Sequence, residues 1–322
     1  MNILIAGGAG YVGSRLCLSL IELGHNVSVV DLCWFGNNLP SSVKIFKKNI
    51  IDLDVDDIVG HDAVIFMAGL SNDPMADFSP SMNFVENAAV PAYLTYISKK
   101  AKVGKFIYAS SCSIYGFTDD EEMDEASPVN PSYPYGISKL QGETAVILLA
   151  DDDFKPICLR KGTVGGWSPR MRFDLVVNTM TKYALTTGEL TVNNPNLWRP
   201  LIDIRDVIQS YIKSIETDVS GVFNVCSQNM TIGELASEIK NELSKHGHNI
   251  KIKTLNKPDV RNYKATNEKA KKILGFNPIY KPSDSVREIL ENIDLKSIDF
   301  DEKKYYNITT FKEIKNGIKW IL

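Results

Sequence analysis

Cysteine is scarce in this chain and scattered where it occurs. Cys17, Cys33, Cys112, Cys158 and Cys226 are odd in number and form no Cys-x-x-Cys pair. That spacing argues against a disulfide framework and against a zinc site, so no metal is expected. Long apolar runs are missing as well: none approaches the roughly 20 residues that span a bilayer. The first residues lack the basic and apolar segments of an export signal, because Gly7, Gly8 and Gly10 interrupt them. A cytoplasmic protein with no membrane partner is therefore expected. A basic excess is also absent. The formal net charge is −3 over 322 residues, which gives no whole-molecule field for binding nucleic acid. There is no internal repeat and no low-complexity segment, and His246 and His248 take no assigned role.

What is present is ordinary globular composition, 44% hydrophobic and 23% charged, enough for one large domain or two smaller ones. Asn2–Ala6 is a short apolar run ending in glycines. Tyr11–Leu23 turns helical, with Val12, Leu16, Leu20 and Leu23 on one side and Gly24 as its stop. Val27–Asp31, Val43–Lys47, Ala63–Met67, Lys105–Ala109 and Pro156–Arg160 read as further buried strands. Helical spacing fills Ser81–Lys100 and Gly136–Ala150. Strands alternating with helices predict an α/β fold, a parallel sheet covered on both faces.

After about Gly166 the pattern loosens. Trp167–Arg172, Asn193–Pro200 and Asn256–Lys264 read as loops, and Val222–Val225 as a strand returning to the first sheet. Thr231 and Glu234 have the spacing of a capping box at the start of a helix. Glu268–Leu274 is a short helix stopped at Gly275. In the tail, Phe311, Ile314, Ile318 and Ile321 fall on one helical face. The expected division is residues 1–166 for one domain, with a returning segment near 200–225, and 167–322 mainly for a second.

Gly7-Gly-Ala-Gly10-Tyr11-Val12-Gly13 joins the first strand to the first helix. There Gly7 permits a tight turn, Gly10 lets backbone approach a pyrophosphate, and Gly13 lets helix pack on strand. The helix start offers free N–H groups to phosphates. Asp31 ends the second strand, where a carboxylate accepts hydrogen bonds from an adenosine ribose and repels a 2′-phosphate; this favours NAD over NADP. Asn49 and Ile50 are placed to meet the adenine. Met67, Ala68 and Gly69 end the fourth strand with room for a close cofactor approach.

Tyr135 and Lys139 lie four residues apart, on one helix face. An ammonium about 4 Å from a phenol is worth roughly 4 kcal/mol at an effective dielectric of about 20, enough to bring the phenol toward neutrality as a general base. Ser111, at the end of the Lys105–Ala109 strand, is placed to hydrogen-bond the same substrate oxygen. Cys112 is either a thiolate base beside it or a small buried strand-end residue.

Taken together, the glycine turn, Asp31, Ser110–Gly116, Asp124–Pro131, Tyr135–Lys139, Arg160–Gly166 and Trp198–Asp206 resemble the extended short-chain dehydrogenase/reductase family, in its nucleotide-sugar epimerase and dehydratase branch. The resemblance runs to about residue 290. It implies a Rossmann-type doubly wound sheet with a smaller C-terminal substrate-binding domain, NAD as cofactor and a nucleotide-diphosphate sugar as substrate. It also implies a homodimer through the Ser81–Lys100 and Gly136–Ala150 helices. By the same resemblance Ser111, Tyr135 and Lys139 take the catalytic positions, and Arg199, with Arg261 as a second candidate, contacts the substrate phosphates. Arg170, Arg172 and Asn178 belong to a subgroup variant expected to reach substrate. The shared first step is oxidation at sugar C4 to a 4-keto intermediate. Relatives that dehydrate carry acidic residues where this chain has Cys112 and Ser113, so the expected outcome is epimerisation. A 4,6-dehydratase or 4-dehydrogenase is the alternative, and a non-catalytic NAD-sensing protein a further one. Retention of Ser111, Tyr135 and Lys139 argues against the last.

Overall fold

The computed structural model describes residues 1–255 and 262–317. In chain order its strands are β1 (Asn2–Ala6), β2 (Asn26–Val30), β3 (Lys44–Phe46), β4 (Ala63–Phe66), β5 (Lys105–Ser111), β6 (Phe117–Met123), β7 (Lys155–Lys161), β8 (Thr163–Gly165), β9 (Glu189–Asn193), β10 (Trp198–Asp203), β11 (Gly221–Val225), β12 (Gln228–Thr231), β13 (Lys251–Leu255) and β14 (Asn262–Ala265). The α-helices are α1 (Tyr11–Glu22), α2 (Val55–Ile58), α3 (Asp73–Phe78), α4 (Pro80–Phe84), α5 (Val90–Lys100), α6 (Pro134–Leu148), α7 (Val176–Thr187), α8 (Ile204–Glu216), α9 (Ile232–Lys245), α10 (Glu268–Leu274), α11 (Pro282–Asn292) and α12 (Asn307–Gly317).

Seven strands form one sheet in the order β11-β7-β5-β4-β1-β2-β3, and every pair in it is parallel. Alternation along the strands sorts the core into two layers. Ile3, Ile5, Ile65, Ile107 and Leu159 pack with Leu16 and Leu20 of α1 and Val207 and Tyr211 of α8. Leu4, Val64, Phe66, Phe106 and Tyr108 face the other way, onto Val90 and Leu94 of α5 and Val146 of α6. This is the Rossmann-type sheet that the alternating pattern predicts. The chain leaves β1 toward β2 and β3, then returns to place β4 on the other side of β1. That reversal opens a crevice at the carboxyl ends of β1 and β4, where such sheets bind ligands.

A smaller core beside the sheet joins Val177, Met180, Leu190, Leu201, Leu235, Ile239 and Val286. The capping box of Thr231 and Glu234 opens α9 as expected, and Gly275 ends α10 with a positive φ of 68°. Among the described residues no helix is long and apolar enough to cross a membrane.

Three departures from the sequence reading have physical causes. Ser81–Lys100 is not one uniform helix: a π-turn at Val85–Ala89 separates α4 from α5. Pro91 has no N–H to give the Asn87 carbonyl, which accepts instead from the Tyr108 hydroxyl at 2.8 Å. Trp198-Arg199-Pro200, read as loop, opens β10 and pairs antiparallel with β12. The tail does more than present an apolar face. Phe311 is fully buried, stacked on Trp34 with ring centroids 5.8 Å apart and edge-on to Phe78 at 5.9 Å. Ile318 and Ile321 lie outside the described residues.

Candidate active site

The crevice widens into a cavity of about 1160 Å³ that runs from the glycine turn to the small lobe. Its first half is built by close backbone approaches. Gly7 has φ +88°, and a Cβ there would stand 2.5 Å from the Ala68 nitrogen; one on Gly13 would stand 2.6 Å from the Gly7 oxygen. Gly10 faces the cavity as N-cap of α1, so a side chain there would enter the space. These three positions make a cradle whose floor is the start of a helix, the arrangement that accepts a diphosphate. Tyr11 and Val12 line it too, although the Tyr11 hydroxyl is already committed, donating to the Gly166 carbonyl at 2.6 Å.

Asp31 reaches the cavity with both oxygens engaged, accepting from Ala9 N at 3.0 Å and Cys33 N at 2.7 Å. Burial raises its carboxyl pKa, and the two backbone donors pull it back. Asn49, Ile50, Met67, Ala68 and Gly69 also line the wall. The residues present therefore fit a dinucleotide lying across the carboxyl ends of β1, β2 and β4.

At the junction of the two halves stand Ser111, the last residue of β5, and Tyr135, in the first turn of α6. Their side chains face the same space, close enough that Ser111 opposes the rise in the Tyr135 pKa. Ser111 donates to Ser113 Oγ at 3.1 Å, and Ser113 Oγ lies 3.4 Å from the Tyr263 hydroxyl. All four line the cavity. Lys139 lies one helical turn behind. Its Nζ donates to the Ala109 carbonyl at 3.1 Å and sits 5.9 Å from the centre of the Tyr135 ring. The expected acidic phenol is corrected here: burial dominates and holds the Tyr135 pKa above its ordinary value, with Ser111 and Arg172 opposing and Asp73 adding to the rise. Burial, reinforced by Lys161, likewise lowers Lys139 to about 7. Desolvation outweighs the pairwise attraction that sequence spacing suggests.

Three sequence-derived residues fall off the wall: Lys139, buried behind Tyr135, and also Cys112 and Asn178. Cys112 is fully buried, its thiol donating to the Arg160 carbonyl at 3.1 Å, and burial pushes its pKa well up. It is the buried strand-end residue and not a thiolate base. Asn178 is fully buried as well. Its amide accepts from Gly166 N at 2.9 Å and donates to the Arg172 carbonyl at 2.8 Å. It braces the loop entering α7 and has nothing left for substrate.

The arginines divide by partner. Arg199 lines the cavity with its guanidinium 5.9 Å from the centre of the Tyr263 ring. Arg172 lines it while forked onto Asp174, at 2.7 and 3.0 Å. Arg170 lies over the Phe35 ring at 3.7 Å and donates to Asn307 Oδ1. Its buried Nε has no hydrogen-bond partner among the described residues. Arg261 lies outside the described residues. Sequence reasoning missed Lys161, Tyr263, Asp73 and Asn307, which all line the cavity. Lys161 had a usable signal, since it ends a parallel strand at the ligand-binding edge. Asn307 had none, because its place depends on how the tail folds back.

Such a crevice defines a dinucleotide-binding Rossmann enzyme. More particularly, residues 3–226 match the model of the NAD dependent epimerase/dehydratase family, and the chain belongs to that family. It is thus an NAD-dependent enzyme of the epimerase and dehydratase group. The UDP-glucose 4-epimerase of Rhizobium meliloti (strain 1021) is 24% identical over 313 residues, covering 87% of this chain and 93% of that one. A solved UDP-glucose 4-epimerase from Thermotoga maritima, with UDP-glucose, is similar at TM-score 0.81 and 26% identity, over 90% of this chain and 98% of the other. MoeE5 in complex with UDP-glucuronic acid and NAD shares the fold at TM-score 0.80 and 23% identity, over 90% and 98% of the two chains.

Proposed function

We propose that this enzyme epimerises a nucleotide-diphosphate sugar at C4 through a 4-keto intermediate. The observation that carries the reading is that Ser111 and Tyr135 line one cavity beside the glycine turn, while the two residues after Ser111, Cys112 and Ser113, supply no carboxylate for eliminating water. Gly7, Gly10 and Gly13 would hold the diphosphate of NAD, and its nicotinamide would supply a hydride acceptor and a positive charge. Ser111 holds the substrate oxygen by a hydrogen bond. Tyr135 takes the hydroxyl proton as the carbon is oxidised and returns it when the carbon is reduced. The positive charges of Lys139, Arg172 and the oxidised ring together oppose the effect of burial on the phenol.

In this reading the lobe from residue 167 onward holds the nucleotide sugar, with Arg199 and Arg172 as its diphosphate contacts; an Arg fork suits that group. Two copies associate through α4, the π-turn after it, α5 and α6, where Val85, Tyr96 and Leu148 are exposed. The test is incubation with a panel of UDP-, GDP- and dTDP-sugars. Epimerisation gives a product of unchanged mass with inverted C4 by NMR. A product lighter by one water, or lighter by two hydrogens with stoichiometric NADH, overturns it.

A further inference from the structure

Lys161 is the last residue of β7, and its register partner on β5 is Ser111. In a parallel pair, register partners project from the same face of the sheet. Lys161 therefore stands one strand from Ser111, and it lines the same cavity as Ser111 and Tyr135. Its Nζ donates to the Tyr211 hydroxyl of α8 at 3.2 Å. Among the described residues no carboxylate pairs with it, and burial alone lowers it to about 8. Beside it are Tyr211 on α8, which accepts from its Nζ, its register partner Ser111 on β5, and Lys139 on α6, which feels its charge. The buried carboxylate of Glu143 is spent on Arg160 and Ser110, and Asp73, on the same cavity wall, acts on Tyr135. Among the described residues neither lysine is paired with a carboxylate.

Lys161 is half-buried, and a poorly solvated ammonium with no carboxylate beside it is costly; such groups cluster where chemistry needs a field. The nicotinamide must reach the Ser111–Tyr135 pair to take a hydride from the carbon they hold. Its oxidised ring is a cation and its reduced ring is neutral. Beside two ammoniums the oxidised ring is repelled, and hydride uptake removes that repulsion. We propose that Lys161 is a positioning residue of the redox centre, whose charge biases the bound nicotinamide toward its reduced form and so favours formation of the keto sugar. The inference rests on the redox reading given above.

The test is equilibration of the protein with excess equimolar NAD+ and NADH, desalting, and quantification of the retained dinucleotides. Wild type is expected to retain NADH over NAD+, a preference that Lys161→Met shrinks about tenfold and Lys161→Arg preserves. An unchanged ratio in Lys161→Met overturns the proposal. If wild type retains neither dinucleotide, it is the redox reading that fails. A measurement on wild type alone is independent of how the variants fold. As pH rises the preference should fall in two steps, near 7 as Lys139 loses its proton and near 8 as Lys161 does. A ratio flat through the upper step also overturns the proposal. Lys161→Arg, which keeps its charge, should lack that step.

Discussion

Arg160 on β7 and Glu143 on α6 form a buried two-pronged ion pair. Arg160 Nη2 lies 2.6 Å from Glu143 Oε1 and Nε lies 3.1 Å from Oε2, with side chains 7% and 4% exposed. Ser110 donates to the same carboxylate at 2.7 Å, and Arg160 Nη1 donates to the Tyr115 hydroxyl at 2.9 Å. The pair ties the helix that carries Tyr135 and Lys139 to the strand that carries Lys161. Glu143→Gln leaves the guanidinium buried without its counter-charge and should cost about 3–5 kcal/mol of stability, read from the denaturant midpoint. Glu143→Leu combined with Arg160→Met should recover much of that. A single variant as stable as wild type means that the pair does not hold α6.

Tyr135→Phe removes one hydroxyl from the junction of the two halves and leaves the glycine cradle intact. Turnover on the accepted sugar should fall about 10²–10⁴-fold, while NAD affinity, followed by titration, stays within about threefold because the cofactor's phosphate contacts are elsewhere. Retained turnover would remove Tyr135 from the chemistry. Lost NAD binding would make it a structural residue.

Cys112→Ala separates the two readings that the sequence left open. The thiol donates to a strand carbonyl and has no access to the cavity, so its loss removes one weak hydrogen bond and a small packing contact. Stability should drop by about 1 kcal/mol, and initial rates should remain within about twofold of wild type. A variant that folds and is inactive would restore the base role.

The sheet was legible because its strands are short apolar runs between helical periods, a local signal. So was the glycine turn, whose steric demands fall on adjacent residues, as the approach of Gly7 to Ala68 shows. Side-chain environment was not legible. Tyr135 and Lys139 stand at the expected spacing, yet burial sets their proton affinities, and burial depends on α8, β7 and the small lobe packing from outside the motif. Asn178 was expected at the substrate by resemblance to a subgroup motif, and its hydrogen bonds went to Gly166 and Arg172 instead. The tail was least legible, since the stack of Phe311 on Trp34 joins residues far apart in the chain.

Asp31 is expected to govern which dinucleotide enters. Its carboxylate accepts from Ala9 N and Cys33 N, and it lies within electrostatic reach of Arg170. A 2′-phosphate arriving there meets an anion first. Asp31→Asn keeps one acceptor for the backbone and removes the negative charge. Arg170, whose buried Nε lacks a partner among the described residues, then faces the ribose without a competing carboxylate. NAD affinity should weaken about tenfold with loss of the ribose hydrogen bonds, and affinity for NADP relative to NAD should rise about 100-fold. Titration with both dinucleotides measures each effect. An unchanged ratio would place the adenosine ribose away from Asp31. A further Arg170→Met substitution should cancel most of the NADP gain, because the phosphate would then have lost the cation that accepts it.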